Sequence, residues 1–192
     1  SSDVCSSDLN GSAPTYEQVV FTCAYNATNI FFGDPVVSDG SGGIAQAGSS
    51  NASGNAAIYG IFVGCQYLSV AQKRTVWSNY YPGGTDPATG TIVGYIINDP
   101  NAKFVAQTSS AGATQTNINN TVGFTIGSGN TNTGISAALV NMSTAGTDST
   151  QPFRILSLVT TPPGANGTDA TSGYNLVIVG FNNVSTKSLV GI

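Results

Sequence analysis

The sequence contains no histidine, and only 7% of its 192 residues are charged, against about 25% in an ordinary globular protein. Without histidine, one chain cannot supply the imidazole of a Ser-His-Asp or Cys-His centre, nor an imidazole ligand for a metal ion. Hydrolysis by those routes is therefore excluded within a single chain.

Carboxylates are also few, and three of them, Asp34, Asp86 and Asp99, directly precede proline. An Asp-Pro step caps a turn through its carboxylate and holds the aspartate backbone extended, so we expect turn residues rather than catalytic ones. Two carboxylates about 5–9.5 Å apart would suffice for glycoside hydrolysis, and a pair such as Asp34 with Asp99 is the alternative. The sequence predicts no enzyme.

Basic residues and long apolar runs are scarce as well. The five lysines and arginines form no basic cluster, so phosphate neutralisation on a nucleic acid is not expected. Glycine or polar residues interrupt every apolar stretch well before the roughly 18 residues of a membrane span. The glycine-rich segments 40–43 and 127–134 lack the lysine of a phosphate loop and the aspartates of calcium repeats. We predict no cofactor, no metal site, no nucleic-acid partner and no membrane partner.

Of three cysteines, Cys23 and Cys65 lie on apolar strand patterns and lack the close spacing of a zinc site. We expect buried thiols that behave as small hydrophobes, with a disulfide between them as the alternative.

What the sequence does have is glycine, asparagine, serine and threonine between short apolar segments, the composition of many turns joining short strands. In residues 18–25 a period of two places one set, Val19, Phe21, Cys23 and Tyr25, on a buried face. The run 58–67 predicts a strand buried on both faces or bent at a bulge. We predict an all-β protein, a β-barrel or β-sandwich of about ten short strands, with a smaller β-subdomain as an option. One segment, 135–142, is ambiguous with a helix, and no repeat recurs at a fixed period.

Residues 1–9, SSDVCSSDL, resemble the in-frame translation of a common sequencing adapter. We expect this stretch to be an artefactual or disordered addition that replaces the native start, typical of a metagenomic reading frame, with Cys5 unpaired. The domain proper is then 10–192, with a subdomain boundary near 112–120. Without Asp3 and Asp8 the nine carboxylates become seven, and the net charge against five bases becomes minus two.

One aromatic group is a candidate protein interface: Trp77, Tyr80 and Tyr81, beside Lys73 and Arg74. Tryptophan, tyrosine and arginine are favoured interface anchors. Packing of the same residues in the core is the alternative.

Ordered blocks across the chain from residue 10 onward resemble a family of tailed-bacteriophage virion structural proteins. The blocks are residues 10–12, FGDPVV at 32–37, YGIFVG at 59–64, and the segments 97–107, 121–136, 142–159 and 187–192. The family has no catalytic residues to carry over.

This resemblance implies a head decoration or cement protein, made in the bacterial cytoplasm, that binds the major capsid protein of the phage head as a homo-oligomer. A trimer over a capsid symmetry axis is expected by analogy with other decoration proteins. The alternatives are a tail or neck component, a receptor-binding fibre, or a secreted bacterial adhesin; the enzymatic alternative is a carbohydrate-active domain.

Overall fold

A computed structural model describes residues 18–23, 25, 28–48, 57–90, 92–164 and 167–187. Residues 1–9 lie outside them, as do 10–17 and the last five residues. The described part is all-β, with eleven strands and no α-helix. The strands are β1 (Gln18–Thr22), β2 (Pro35–Ser38), β3 (Ile44–Gln46), β4 (Gly60–Ser69), β5 (Arg74–Ser78), β6 (Val93–Ile97), β7 (Lys103–Gln107), β8 (Thr121–Thr125), β9 (Leu139–Gly146), β10 (Phe153–Leu158) and β11 (Leu176–Phe181).

The all-β prediction is confirmed, while the helical alternative for 135–142 is wrong. That segment enters β9 at Leu139, because pairing with β8 satisfies its backbone. Strand β4 combines both features expected of the run 58–67: it is buried on both faces for most of its length, and a bulge interrupts its pairing with β6 between Phe62 and Gly64.

The strands form two antiparallel sheets, one from each half of the chain. The six-stranded sheet has the order β1-β6-β4-β2-β3, with β5 also paired to β4, and the five-stranded sheet has the order β7-β11-β10-β8-β9. The chain passes between them at Asp99–Asn101, where Ala102 N donates to Asp99 O at 3.0 Å. The segment 112–120 instead joins β7 to β8 within the five-stranded sheet.

Each sheet curls until its first and last strands touch. A parallel bridge joins Cys23, just after β1, to Ile44 at the start of β3, and another joins Thr108, just after β7, to Val140 in β9. Each half is therefore a small, nearly closed barrel. Its neighbouring strands pair antiparallel, whereas the contact between its first and last strands is parallel.

The two halves repeat one topology. If β5 is set aside, β1, β2, β3, β4 and β6 occupy the places that β7, β8, β9, β10 and β11 occupy in the other sheet. The registers agree too: Phe62 pairs with Ile96 just before the bulge in β4, and Ile155 pairs with Val179 just before the bulge in β10. The chain is a structural duplication.

The turn before the second strand repeats in its hydrogen bonds. Gly33 N donates to Phe62 O at 2.8 Å, and Asn119 N donates to Ile155 O at 2.8 Å. Both turn residues have positive φ, +95° for Gly33 and +69° for Asn119, which glycine and asparagine tolerate best. Two different residue types therefore adopt the same positive-φ conformation at equivalent positions of the two halves.

The core consists of two apolar clusters, one of which contains residues from both halves. Phe62, Ile96 and Tyr81 belong to the cluster inside the six-stranded barrel. The second cluster fills the five-stranded barrel and also includes Ile61 and Ile97, from the outer face of the six-stranded sheet. Because those two isoleucines point away from their own barrel, one end of that outer face is covered by the other half.

Candidate functional site

The other end of the outer face of the six-stranded sheet forms the main candidate surface, named here the aromatic face. It consists of Val20, Gln66, Leu68, Trp77 and Tyr95. Side chains alternate between the two sides of a strand, so these residues share the side opposite the buried Phe62 and Ile96. Trp77 is 69% exposed and Val20 56% exposed.

Strand pairing fixes the geometry of the aromatic face. Gln66 in β4 lies opposite Trp77 in β5, and Tyr95 in β6 lies opposite Val20 in β1. The rings of Trp77 and Tyr95 stack with centroids 5.5 Å apart and planes 17° apart, and Tyr95 Oη donates to Gln66 Oε1 at 3.4 Å. The rings are therefore held in place before any partner arrives.

The chemistry of this face is that of a contact surface. It carries no charged side chain among its five members, so a partner need not desolvate an ion to cover it. Large aromatic side chains that are already ordered lose little conformational entropy on binding. The arrangement suits adhesion to an apolar protein surface.

The three aromatic residues predicted as an interface lie in three different environments. Trp77 belongs to the aromatic face. Tyr80 is half-buried and stacks on Phe31 with ring centroids 5.5 Å apart. Tyr81 is fully buried in the core, which is the alternative given for it, and burial raises its pKa to about 12.

Of the two predicted cations, Lys73 lies on the tight connection between β4 and β5, and Arg74 is the first residue of β5. Lys73 has a φ of +52°, and Arg74 donates from Nε and Nη2 to Gln72 Oε1 at 3.0 and 2.9 Å. Both side chains are exposed. Sequence reasoning missed Val20, Gln66, Leu68 and Tyr95, although the period of two through 18–25 placed Val20 on the side opposite Val19 and Phe21, which are half-buried.

A second candidate surface is an apolar cleft of about 300 Å³, named here the seam. It runs along β7 and the segment leading into β9, with β4 of the other sheet on one side. Its lining residues carry no charge; they include Val63, Phe104, Val105, Ile135 and Leu139.

Asp34 lies beside the seam and is completely buried. Its Oδ2 accepts from Phe31 N at 2.8 Å and from Gln46 Nε2 at 2.7 Å, and its Oδ1 accepts from the Ser136 hydroxyl. This one carboxylate ties its own turn to Gln46 in β3 and to Ser136 in the segment before β9, which is the structural role expected of it.

The other two aspartates that precede proline also act in turns. Asp86 Oδ1 accepts from Ser69 Oγ at 2.8 Å and from Ala71 N at 3.0 Å, and these bonds, the one from Ala71 first, lower the pKa of Asp86. Asp99 Oδ1 accepts from Asn101 N at 2.8 Å. Each carboxylate is thus engaged separately, and an acid pair of Asp34 with Asp99 has no support from these contacts.

Cys23 and Cys65 are free thiols buried inside the six-stranded barrel, as expected for small hydrophobes. Burial raises the pKa of Cys23 to about 12. Burial, with a smaller effect of Cys23, raises the pKa of Cys65 as well, and its Sγ lies 3.4 Å from Tyr80 O. Neither thiol is activated as a nucleophile, since nucleophilic cysteines need a lowered pKa.

Among the described residues, no three His, Cys, Asp or Glu side chains converge as metal ligands, and no helix has the length and hydropathy of a membrane span. No protein-family model, curated protein or solved structure matches the chain. The two surfaces, the aromatic face and the seam, are therefore the basis for a functional proposal.

Proposed function

We propose that the chain is a non-enzymatic structural protein of a tailed-phage virion that decorates the head and binds the major capsid protein through its aromatic face. The observation that carries this proposal is the exposure of Trp77, stacked on Tyr95, on a paired sheet that needs no rearrangement to be covered. The family resemblance of the sequence supplies the virion context.

The mechanism is adhesion repeated over a shell. Each copy contributes a modest contact through tryptophan and tyrosine, the residues most enriched in interface hot spots. Copies arranged as trimers on a symmetric head would act together, so that weak single contacts give a durable particle. The low charge agrees with a surface that packs against neighbours instead of steering a charged ligand over a distance.

The test is co-sedimentation with expanded heads that lack decoration. Trp77→Ala should raise the dissociation constant by about 30-fold or more, which corresponds to the loss of a hot-spot contact of roughly 2 kcal/mol. The variant should also give the heads a smaller gain in heat resistance than the wild type does. The matched control is Tyr174→Asn, which removes an exposed aromatic ring from the other half at a residue of positive φ. Failure of the wild-type chain to bind expanded heads would refute the proposal.

Copy number separates decoration from a tail or fibre role. Densitometry of purified particles should give hundreds of copies for a decoration protein and only a few for a tail, neck or fibre component. A count of only a few copies per particle would favour a tail, neck or fibre component over a decoration protein.

A further inference from the structure

One member of the aromatic face, Gln66, carries a hydrogen-bond donor that the fold does not use. Its Oε1 accepts from Tyr95 Oη at 3.4 Å, whereas its Nε2 meets no acceptor among the described residues. Because Gln66 is half-buried, solvent reaches this amide in the free chain. A partner that covers the aromatic face would take that solvent away.

The amide lies directly beside the stacked rings. Gln66 lies opposite Trp77 across one edge of β4, and Gly64 lies opposite Tyr95 across the other edge. Directly opposite residues share a face of the sheet, and Gly64 has no side chain, so the rings of Trp77 and Tyr95 can meet across this position. Any surface that covers the two rings therefore also covers the amide of Gln66.

The duplicated half shows that strand pairing does not require an amide at this place. The matching registers place Val159, which donates from N to Leu176 O at 3.0 Å, where the first half has Gln66 beside Val93. An apolar residue thus suffices for the backbone pairing at this position. The amide of Gln66 belongs to the surface of one half alone.

Desolvation of this amide sets a requirement on the partner. A buried donor that has no acceptor costs the free energy of its lost hydration, which would weaken binding by about 5- to 150-fold. A surface that is apolar throughout would incur this loss when it covers Trp77 and Tyr95. A surface with one well-placed acceptor oxygen would not.

We propose that Gln66 determines the specificity of the aromatic face by donating from Nε2 to an acceptor oxygen of the partner. Tyr95 Oη is the positioning group, because its hydrogen bond to Oε1 fixes which end of the amide faces the partner. This inference rests on the proposed function, in which the partner is the capsid protein. It adds that the contacted capsid surface presents an acceptor oxygen among apolar groups.

The experiment compares the binding of variants to expanded heads by co-sedimentation. Gln66→Met keeps the length of the side chain but removes the donor, and it should raise the dissociation constant about fivefold or more. Gln66→Glu replaces the donor by a charged acceptor and should raise the dissociation constant about 30-fold or more. The matched control is Gln115→Met, the same substitution at an exposed glutamine of the other half, which should bind as the wild type does.

The positioning role is tested in the free chain, without heads. Tyr95→Phe keeps the ring that stacks on Trp77 but removes the hydroxyl. It should shift the side-chain amide signals of Gln66 in an amide NMR spectrum and leave those of Gln115 in place. Unchanged Gln66 signals would contradict the positioning role of Tyr95.

The outcomes separate this inference from the proposed function. If the wild type binds and Trp77→Ala weakens binding, but Gln66→Met binds as tightly as the wild type or more tightly, the partner supplies no acceptor; the inference is then overturned while the proposed function stands. Unweakened binding of Gln66→Glu, or an equal loss in Gln115→Met, would overturn it as well. Failure of the wild type to bind heads would refute both.

Discussion

Replacing Gly94 by alanine should destabilise the six-stranded barrel through one identifiable contact. A Cβ on Gly94 would lie 2.6 Å from Cys23 Sγ, 3.0 Å from Ile44 Cδ1 and 3.5 Å from Phe62 Cε2. The thiol of Cys23 thus fills the space that a side chain at position 94 would need. Since the neighbours are buried, they cannot move into solvent to make room.

The magnitude follows from overpacking and from the size of the thiol. An extra methyl in a packed core costs about 1–3 kcal/mol, and removing the sulfur in Cys23→Ala costs roughly 1–2 kcal/mol in transfer and cavity terms. Additive effects would lower the free energy of unfolding by about 2–5 kcal/mol in the double variant. In the double variant, however, the methyl added at position 94 would occupy the space left by the sulfur. We therefore expect its free energy of unfolding to fall by only about 1–2 kcal/mol.

The assay is urea denaturation of the wild type, the two single variants and the double variant, followed by far-ultraviolet circular dichroism. The double-mutant cycle should give a coupling of about 1–3 kcal/mol, within the range for residues in contact. Additivity within about 0.5 kcal/mol would refute the packing described for Gly94 and Cys23.

Two further predictions concern pH and the repeated turn. The pKa of Cys23 is raised from 9.0 to about 12, so the folded state favours the neutral thiol; its contribution is fully present below pH 9 and is lost as pH rises towards 12, a loss on the order of 4 kcal/mol. Urea denaturation from pH 8 to 11 should show the decline, and Cys23→Ala should make it shallower, while the raised pKa of Cys65 accounts for a decline that remains; equal slopes in the wild type and the variant would contradict the assigned cause. Gly33→Ala should cost about 1–2 kcal/mol because of its positive φ, while Asn119→Gly should change stability by no more than a few tenths; equal costs would show that the two turns are not equivalent.

The sequence predicted the strands well because alternation and turn residues are local signals. The bulge in β4 followed from glycines inside an apolar run, and the turn at Asp99 followed from its Asp-Pro-Asn pattern. The pairing of the strands did not follow, since β6 and β7 are joined by that turn yet belong to different sheets. Long-range pairing depends on contacts that no local window contains.

The duplication was not visible in the sequence for two physical reasons. The connection from β8 to β9, 126–138, is longer than the connection from β2 to β3, 39–43, so equivalent residues do not recur at a constant interval. Equivalent positions also keep backbone geometry without keeping side chains, as Gly33 and Asn119 illustrate.

The candidate surface was predictable only in part. Trp77 was identified by residue type, but Tyr81 in the same short segment turned inward, because its backbone bridges to Ile30 inside the barrel. Tyr95 joins Trp77 only through the pairing of β4 with both β5 and β6. A surface built across strands cannot be read from one segment.

The aromatic face can be tested most directly through its tryptophan, the single one in the chain. The protein is produced with 5-hydroxytryptophan at position 77, so that its fluorescence can be excited apart from the tryptophans of the capsid, and acrylamide quenching is compared for the free chain and for the chain bound to expanded heads. The proposed function predicts ready quenching when free, since Trp77 is 69% exposed, and strong protection when bound. Equal quenching in both states would contradict the claim that the aromatic face binds the capsid.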